Sequence, residues 1–148
     1  MRELVEHPGG VVMVALKPNG MVTMEKQFRK PIEGVMFELP AGKLDPGEKP
    51  EAAAARELKE ETGYESDDWS HLLTVPASAT ISDNYAHIFL AVNCRKTGSQ
   101  SLDETEYLRV VRHTAPEIEE LIYTGRFQQS VHVMAWLLAK EKHMRNDH

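Results

Sequence analysis

Cysteine is almost absent from this chain. Cys94 is the only one in 148 residues, so no disulfide can close within it and no multi-cysteine zinc site can form. It ends the apolar run IFLAVNC, where an unpaired cysteine is expected to act as a small core residue rather than a reactive thiol. Long apolar stretches are missing as well: no window approaches the roughly 20 residues needed to cross a bilayer. The opening MRELVEHPGG lacks the apolar segment of a secretory signal. These absences predict a cytoplasmic protein without a membrane partner. Basic charge is also scarce, since 17 Lys and Arg against 23 Asp and Glu give a net charge of −6. No basic footprint is left for a nucleic-acid backbone, and nucleic acid is not expected as a partner.

What the chain does have is an ordinary globular mixture, 41% hydrophobic and 27% charged, long enough to bury a core without metal or disulfide staples. One domain is expected over residues 1–148. Two β-rich runs flank Pro18-Asn19-Gly20, a hairpin signal because Asn-Gly tolerates positive φ. GVMFELPAG is a third short strand, stopped by Pro40 and Gly42, and KLDPGEKP is a turn-rich loop. Pro50 suits the first position of a helix running to Thr62, with Gly63 as a left-handed cap. Strand-like content returns in HLLTVPASA, NYAHIFLAVN and EYLRVVRH. Two helices, APEIEELIYTG and QQSVHVMAWLLAKEKH, close the chain, the second with Val131, Met134 and Leu138 at helical spacing. Strands, a helix, strands and then helices predict a layered α+β fold. Trp136 is expected in the core, Trp69 and Tyr85 as packing rings ahead of base-stacking ones, and His87 as a surface or satisfied histidine.

The segment RELKEETGY is the unusual part. It sets Glu57, Glu60 and Glu61 beside Arg56 on little more than one helical turn, where like charges repel by a few tenths of a kcal/mol per pair. The three fall within an arc of about 100°. Ala54, Ala55, Leu58 and Thr62 occupy the adjoining arc, which can pack on a sheet. Glutamates alone are compatible with a solvated face. They also offer an oxygen-only donor set, suited to a hard cation such as Mg²⁺ or Mn²⁺ rather than to zinc.

Gly42, Glu48, Arg56, Glu57, Glu60, Glu61 and Gly63, with Leu58 and Tyr64 at the two apolar positions, resemble the signature of the Nudix hydrolases, here spanning residues 42–64. A match this long in a loop–helix context is far more specific than a short motif. The resemblance implies a Nudix fold, a mixed β-sheet sandwiched between α-helices (α/β/α). It also implies metal-dependent hydrolysis of a nucleoside diphosphate linked to another moiety. Glu57 and Glu61 would be the principal metal ligands, with Glu60 assisting as ligand and in catalysis. Gly42, Glu48, Arg56 and Gly63 would be structural, Arg56 and Glu48 pairing to brace the loop.

Beyond the signature, EKQFRKPIEGVMFELPAGKLDPGE, HIFLAV and ETEYLRVV look like the ADP-ribose pyrophosphatase branch. That likeness implies a metal contact from the Ala41 carbonyl, a substrate diphosphate contact from Arg29, Glu104 as general base and Glu106 as a further metal ligand. A base outside the helix is chemically sensible, because carboxylates held as ligands cannot readily accept a water's proton. Two departures broaden the expected substrate range. SATISDN carries Ala79, Thr80 and Asn84 where the branch has proline, glycine and glutamate, which leaves GDP-mannose and other nucleotide sugars beside ADP-ribose. The chain also starts about where an N-terminal swapped sheet would end, so the expected homodimer is built from the hydrolase unit itself. Rival expectations are a Nudix hydrolase of nucleoside triphosphates and a nucleotide-sensing domain without turnover.

Overall fold

β1 (Gly10–Leu16) is a run of β-branched and small apolar residues buried from Val11 to Leu16, the pattern of a strand covered on both faces. The computed structural model describes residues 9–77, 84–102 and 109–146 and places β1 at the centre of a mixed sheet. It pairs in parallel with β7 (Tyr85–Val92), from Gly10↔Ala86 to Ala15↔Ala91. On its other edge it meets β2 (Val22–Arg29) antiparallel at Ala15↔Thr23 and Leu16↔Val22. β6 (Asp68–Pro76) lies outside β7, β2 also carries β3 (Gly34–Glu38) and β9 (Arg109–His113), and β5 (Tyr64–Glu65) pairs with β8 (Arg95–Lys96) apart from this sheet.

Alternation along β1 divides the core. Val11, Met13 and Ala15 face one side with Phe89 and Ala91, under Ala53, Ala54 and Leu58 of α1 (Pro50–Thr62). Val12, Val14 and Leu16 face the other with Ile88 and Leu90, under α2 (Ala115–Tyr123) and α3 (Ser130–Asn146). The expected α/β/α sandwich is therefore present. The expected hairpin is present too, closed by Lys17 and Met21 with a 2.9 Å N–H···O bond. Only Gly20 of its Asn-Gly pair takes a positive φ, 84°.

Two sequence expectations are corrected. The run Gly34–Gly42 is not one strand stopped by Pro40. After Leu39–Pro40 the chain leaves β2 and pairs with β1 as β4 (Ala41–Lys43), from Val12↔Ala41 to Gly10↔Lys43. Proline has no N–H for a ladder, but its carbonyl still accepts one, here from Met13 N at 3.0 Å. It ends the pairing with β2 without ending β structure.

The second correction concerns α3. Val131, Met134 and Leu138 are only partly buried: Val131 and Met134 pack at the margin of the core, and Met134 and Leu138 line an apolar surface groove with Ile122 and Phe127. The face that meets the sheet is His132, Ala135, Trp136 and Ala139, about one residue further round the helix. Two alanines and a histidine give a quieter hydrophobic signal than Val, Met and Leu, yet small side chains let the helix approach the sheet closely.

Candidate active site

α1 begins at Pro50, whose missing N–H costs nothing at a first helical position, and ends at Gly63. That glycine has φ 77° and donates its N–H to Lys59 O at 2.8 Å. The helix is rotated relative to the sequence expectation. Ala55 is exposed and Ala53 is fully buried in its place. At about 100° per residue, Glu57 and Glu61 then lie inside the packed arc, between Ala53 and Leu58, not beside it. Glu61 is 7% exposed, and the Glu57 side chain is 15% exposed. Glu60 sits at the rim, with 43% of its side chain exposed. A solvated glutamate face does not describe this helix.

β4 explains how a carboxylate edge can be packed at all. A Cβ built on Gly42 would stand 2.1 Å from Glu57 Cδ and 2.5 Å from its Oε1. Only a residue without a side chain lets the Glu57 carboxylate lie directly on the strand. One residue earlier, Ala41 N–H donates to Glu61 Oε2 at 3.1 Å. Pro40 and Leu44 occupy hydrogen-bonded positions against Met13 and Gly9, so Ala41, opposite Val12, falls on the alternate, non-bonded position. Its N–H and C=O both turn away from β1, on the edge where Glu61 sits.

Arg56 carries the electrostatics. Nε and Nη2 grip the two oxygens of Glu48 at 2.8 and 2.9 Å. Nη1 donates to Glu57 Oε1 at 2.9 Å and Glu60 Oε2 at 3.1 Å, and Nη2 also reaches Lys43 O at 3.1 Å. Glu48 further accepts from Asp45 N at 2.9 Å, which ties the loop before α1 into a closed turn. The Arg56 hydrogen bonds, followed by that from Asp45 N–H, lower the Glu48 pKa to about 2. Arg56 is shifted upward in return, chiefly by Glu48. One guanidinium thus offsets the mutual repulsion of three glutamates.

The donor chemistry fits a hard divalent cation: three carboxylates and a main-chain oxygen edge, with no sulfur or imidazole. Among the described residues no three acidic, histidine or cysteine side chains already converge on one point. Glu57 and Glu60 lean to Arg56, and Glu61 leans to Ala41 N–H. Glu104 and Glu106 lie outside the described residues, as do Ala79 and Thr80. Arg29 closes β2 opposite Gly34, with its side chain outside the described atoms.

The approach to Glu104 is described up to residue 102, and it is fastened to α1. Ser101 N–H donates to Glu60 O at 2.7 Å, and Gln100 Nε2 donates to Glu61 O at 2.8 Å. Thr97 and Gly98 N–H both reach Gly63 O. These bonds satisfy carbonyls that a helix end leaves without partners. Nothing in the sequence singles out Gln100, and His132 sits within an apolar stretch that gives it no functional mark.

The other singular residues have structural surroundings. Cys94 is 1% exposed; its thiol faces Ala91 O at 3.5 Å, and burial lifts its pKa to about 11. Trp136 is core. Trp69 donates Nε1–H to Ser66 O at 2.9 Å and meets Phe89 edge-on. His87 Nδ1 and His71 Nε2 share Thr74 Oγ1, and burial followed by the His71 charge lowers the His87 pKa.

A family model described as the NUDIX domain matches residues 6–137. A protein of Bacillus methanolicus named methanol dehydrogenase activator is 37% identical over 135 residues, covering 90% of this chain and 73% of its own. The ADP-ribose pyrophosphatase of Bacillus subtilis (strain 168) is 40% identical over 122 residues, 82% of this chain and 66% of that one. That of Mycobacterium tuberculosis is 41% identical over 98 residues, 66% of this chain and 47% of that one. The chain thus spans only part of the length of these curated relatives. A solved structure described as an ADP compounds hydrolase superposes with a TM-score of 0.77 at 26% identity, over 90% of this chain and 71% of that one. By sequence, fold and the arrangement of its carboxylate helix, the chain belongs to the Nudix family.

Proposed function

We propose that the chain hydrolyses the pyrophosphate bond of nucleoside diphosphate sugars, with ADP-ribose, giving AMP and ribose 5-phosphate, ahead of GDP-mannose and others. The observation that carries the reading is the contact between Gly42 and the Glu57 carboxylate, which seats a buried acidic helix edge on a strand backbone. Glu57, Glu61, Glu60 and the Ala41 carbonyl would hold a divalent cation, Mg²⁺ or Mn²⁺ in its place. When bound, such a cation neutralises diphosphate charge and acidifies a water. Arg56, held by Glu48, steadies the Glu57 and Glu60 carboxylates. The reading extends to Glu104 as general base, Glu106 as a further ligand and Arg29 on the diphosphate. The relatives named ADP-ribose pyrophosphatase and the ADP compounds hydrolase structure support the substrate class.

The reading takes residues 1–148 as one Nudix unit working as a cytoplasmic homodimer, without nucleic-acid or membrane partners. The net charge of −6 supports the first exclusion. No helix among the described residues is long and apolar enough to cross a membrane. A light-scattering mass of one chain would remove the dimer.

The deciding experiment is a Mg²⁺-dependent panel of nucleotide sugars, a dinucleoside polyphosphate and nucleoside triphosphates, with Glu57→Gln as the blank. Turnover of sugars that falls at least about 100-fold in the variant is expected. Silence on every sugar, with Mg²⁺ still raising thermal stability, would transfer the assignment to triphosphates or to a sensor. Glu104→Gln within a few-fold of the parent would remove Glu104 as the base. The relative named for activating a dehydrogenase favours a second reading, in which the hydrolase acts on a dehydrogenase system; adding such an enzyme and following its rate tests it.

A further inference from the structure

We propose that His132 is a positioning residue for this site, acting from the opposite helical layer through the backbone of Leu39, Pro40 and Ala41. The inference rests on the reading of Ala41 as a cation contact. His132 lies on α3, is 7% exposed, and its Nδ1 accepts the N–H of Leu39 at 3.1 Å across 93 residues of sequence. Because the donor is a backbone amide, Nδ1 is the unprotonated nitrogen, and the ring is held as the neutral Nε2–H tautomer.

Leu39 needs this partner. The β2 register ends at Glu25↔Glu38 and the β1 register with β4 begins at Ala41, so neither ladder receives the Leu39 N–H. A buried amide left without an acceptor is costly enough to move the chain. Three consecutive residues are thus pinned by three elements. Leu39 N–H goes to α3, Pro40 O to Met13 N–H on β1, and Ala41 N–H to the Glu61 carboxylate on α1. Proline fixes φ between the first and the last, which removes one of the torsions that could absorb a displacement of Leu39 before it reaches Ala41.

The test compares His132→Leu, which removes the acceptor at similar bulk, with His132→Asn, whose Oδ1 can stand near the place of Nδ1. Mg²⁺ half-saturation is read twice, from the Mg²⁺-linked rise in Tm without substrate and from turnover. The leucine variant is expected to need about tenfold more Mg²⁺, with a lower kcat and KM for the sugar within about twofold, and asparagine is expected to recover most of the loss. His132→Met, flexible and apolar, takes the place of leucine if that variant does not fold. Wild-type Mg²⁺ half-saturation in the apolar variant overturns the proposal even if its Tm falls, since a purely structural role would do no more. A Mg²⁺-linked Tm rise without turnover, weakened in the apolar variant and restored by asparagine, sustains this inference while the hydrolase reading fails. No Mg²⁺ effect on the wild-type Tm overturns it.

Discussion

Arg56 is the residue on which the local charge balance turns, and acid should expose it. Its grip depresses Glu48 from an ordinary 4.5 to about 2. A carboxyl with a depressed folded pKa contributes stability that is complete above its unfolded pKa and is lost as pH falls through the folded one. The wild-type unfolding midpoint should therefore drop between pH 4.5 and about 2 more steeply than that of Glu48→Gln; parallel acid titrations would remove the assignment. Gly42→Ala tests a neighbouring contact. The atoms its methyl would meet are the far end of Glu57, which can swing aside. Tm should fall by only a few degrees while turnover falls at least about 100-fold, since misplacement by an ångström is enough. At this scale the spacing of Glu57, Glu60 and Glu61 was legible in the chain. Which arc of the helix faces the sheet was not, because spacing fixes angles between residues and leaves the rotation of the whole helix to packing.

Among the elements, α1 is the one whose limits were readable, since Pro50 and Gly63 act on the backbone directly. Its C-terminal end is held by more than the cap. Gly63 sits at φ 77°, and a Cβ there would stand 2.2 Å from Gly98 O, a backbone atom that cannot swing away. Gly63→Ala should cost about 2–3 kcal/mol and lower Tm by roughly 5–10 °C in a thermal melt. A change under 2 °C would mean that residues 97–101 do not clasp the helix as described. β4 and the buried face of α3 were not readable, for different reasons. Pro40 looks like a strand terminator because its missing N–H is visible in the sequence, whereas its accepting carbonyl is not. On α3, the louder stripe of Val131, Met134 and Leu138 masks His132, Ala135, Trp136 and Ala139, whose spacing is equally regular.

For the whole molecule, the sheet links two helical layers whose described core residues form separate clusters, and Cys94 reports on that assembly. It lies in the α1-side cluster with Met13 and Phe89, and a thiol with a pKa of about 11 is a poor nucleophile near neutral pH. Alkylation should be slow in the folded protein and should rise with denaturant in step with global unfolding. Labelling at a rate independent of denaturant would show that this layer opens locally.

The β1–β2 turn has a practical consequence. Pro18, Asn19 and Gly20 are exposed, and a Cβ on Gly20 would meet nothing within 4 Å. The 97–101 segment, by contrast, is stitched to α1 atom by atom. A fluorophore, an affinity tag or a spliced-in reporter therefore belongs at the hairpin tip, where extra residues would disturb neither the carboxylate helix nor the strand beneath it.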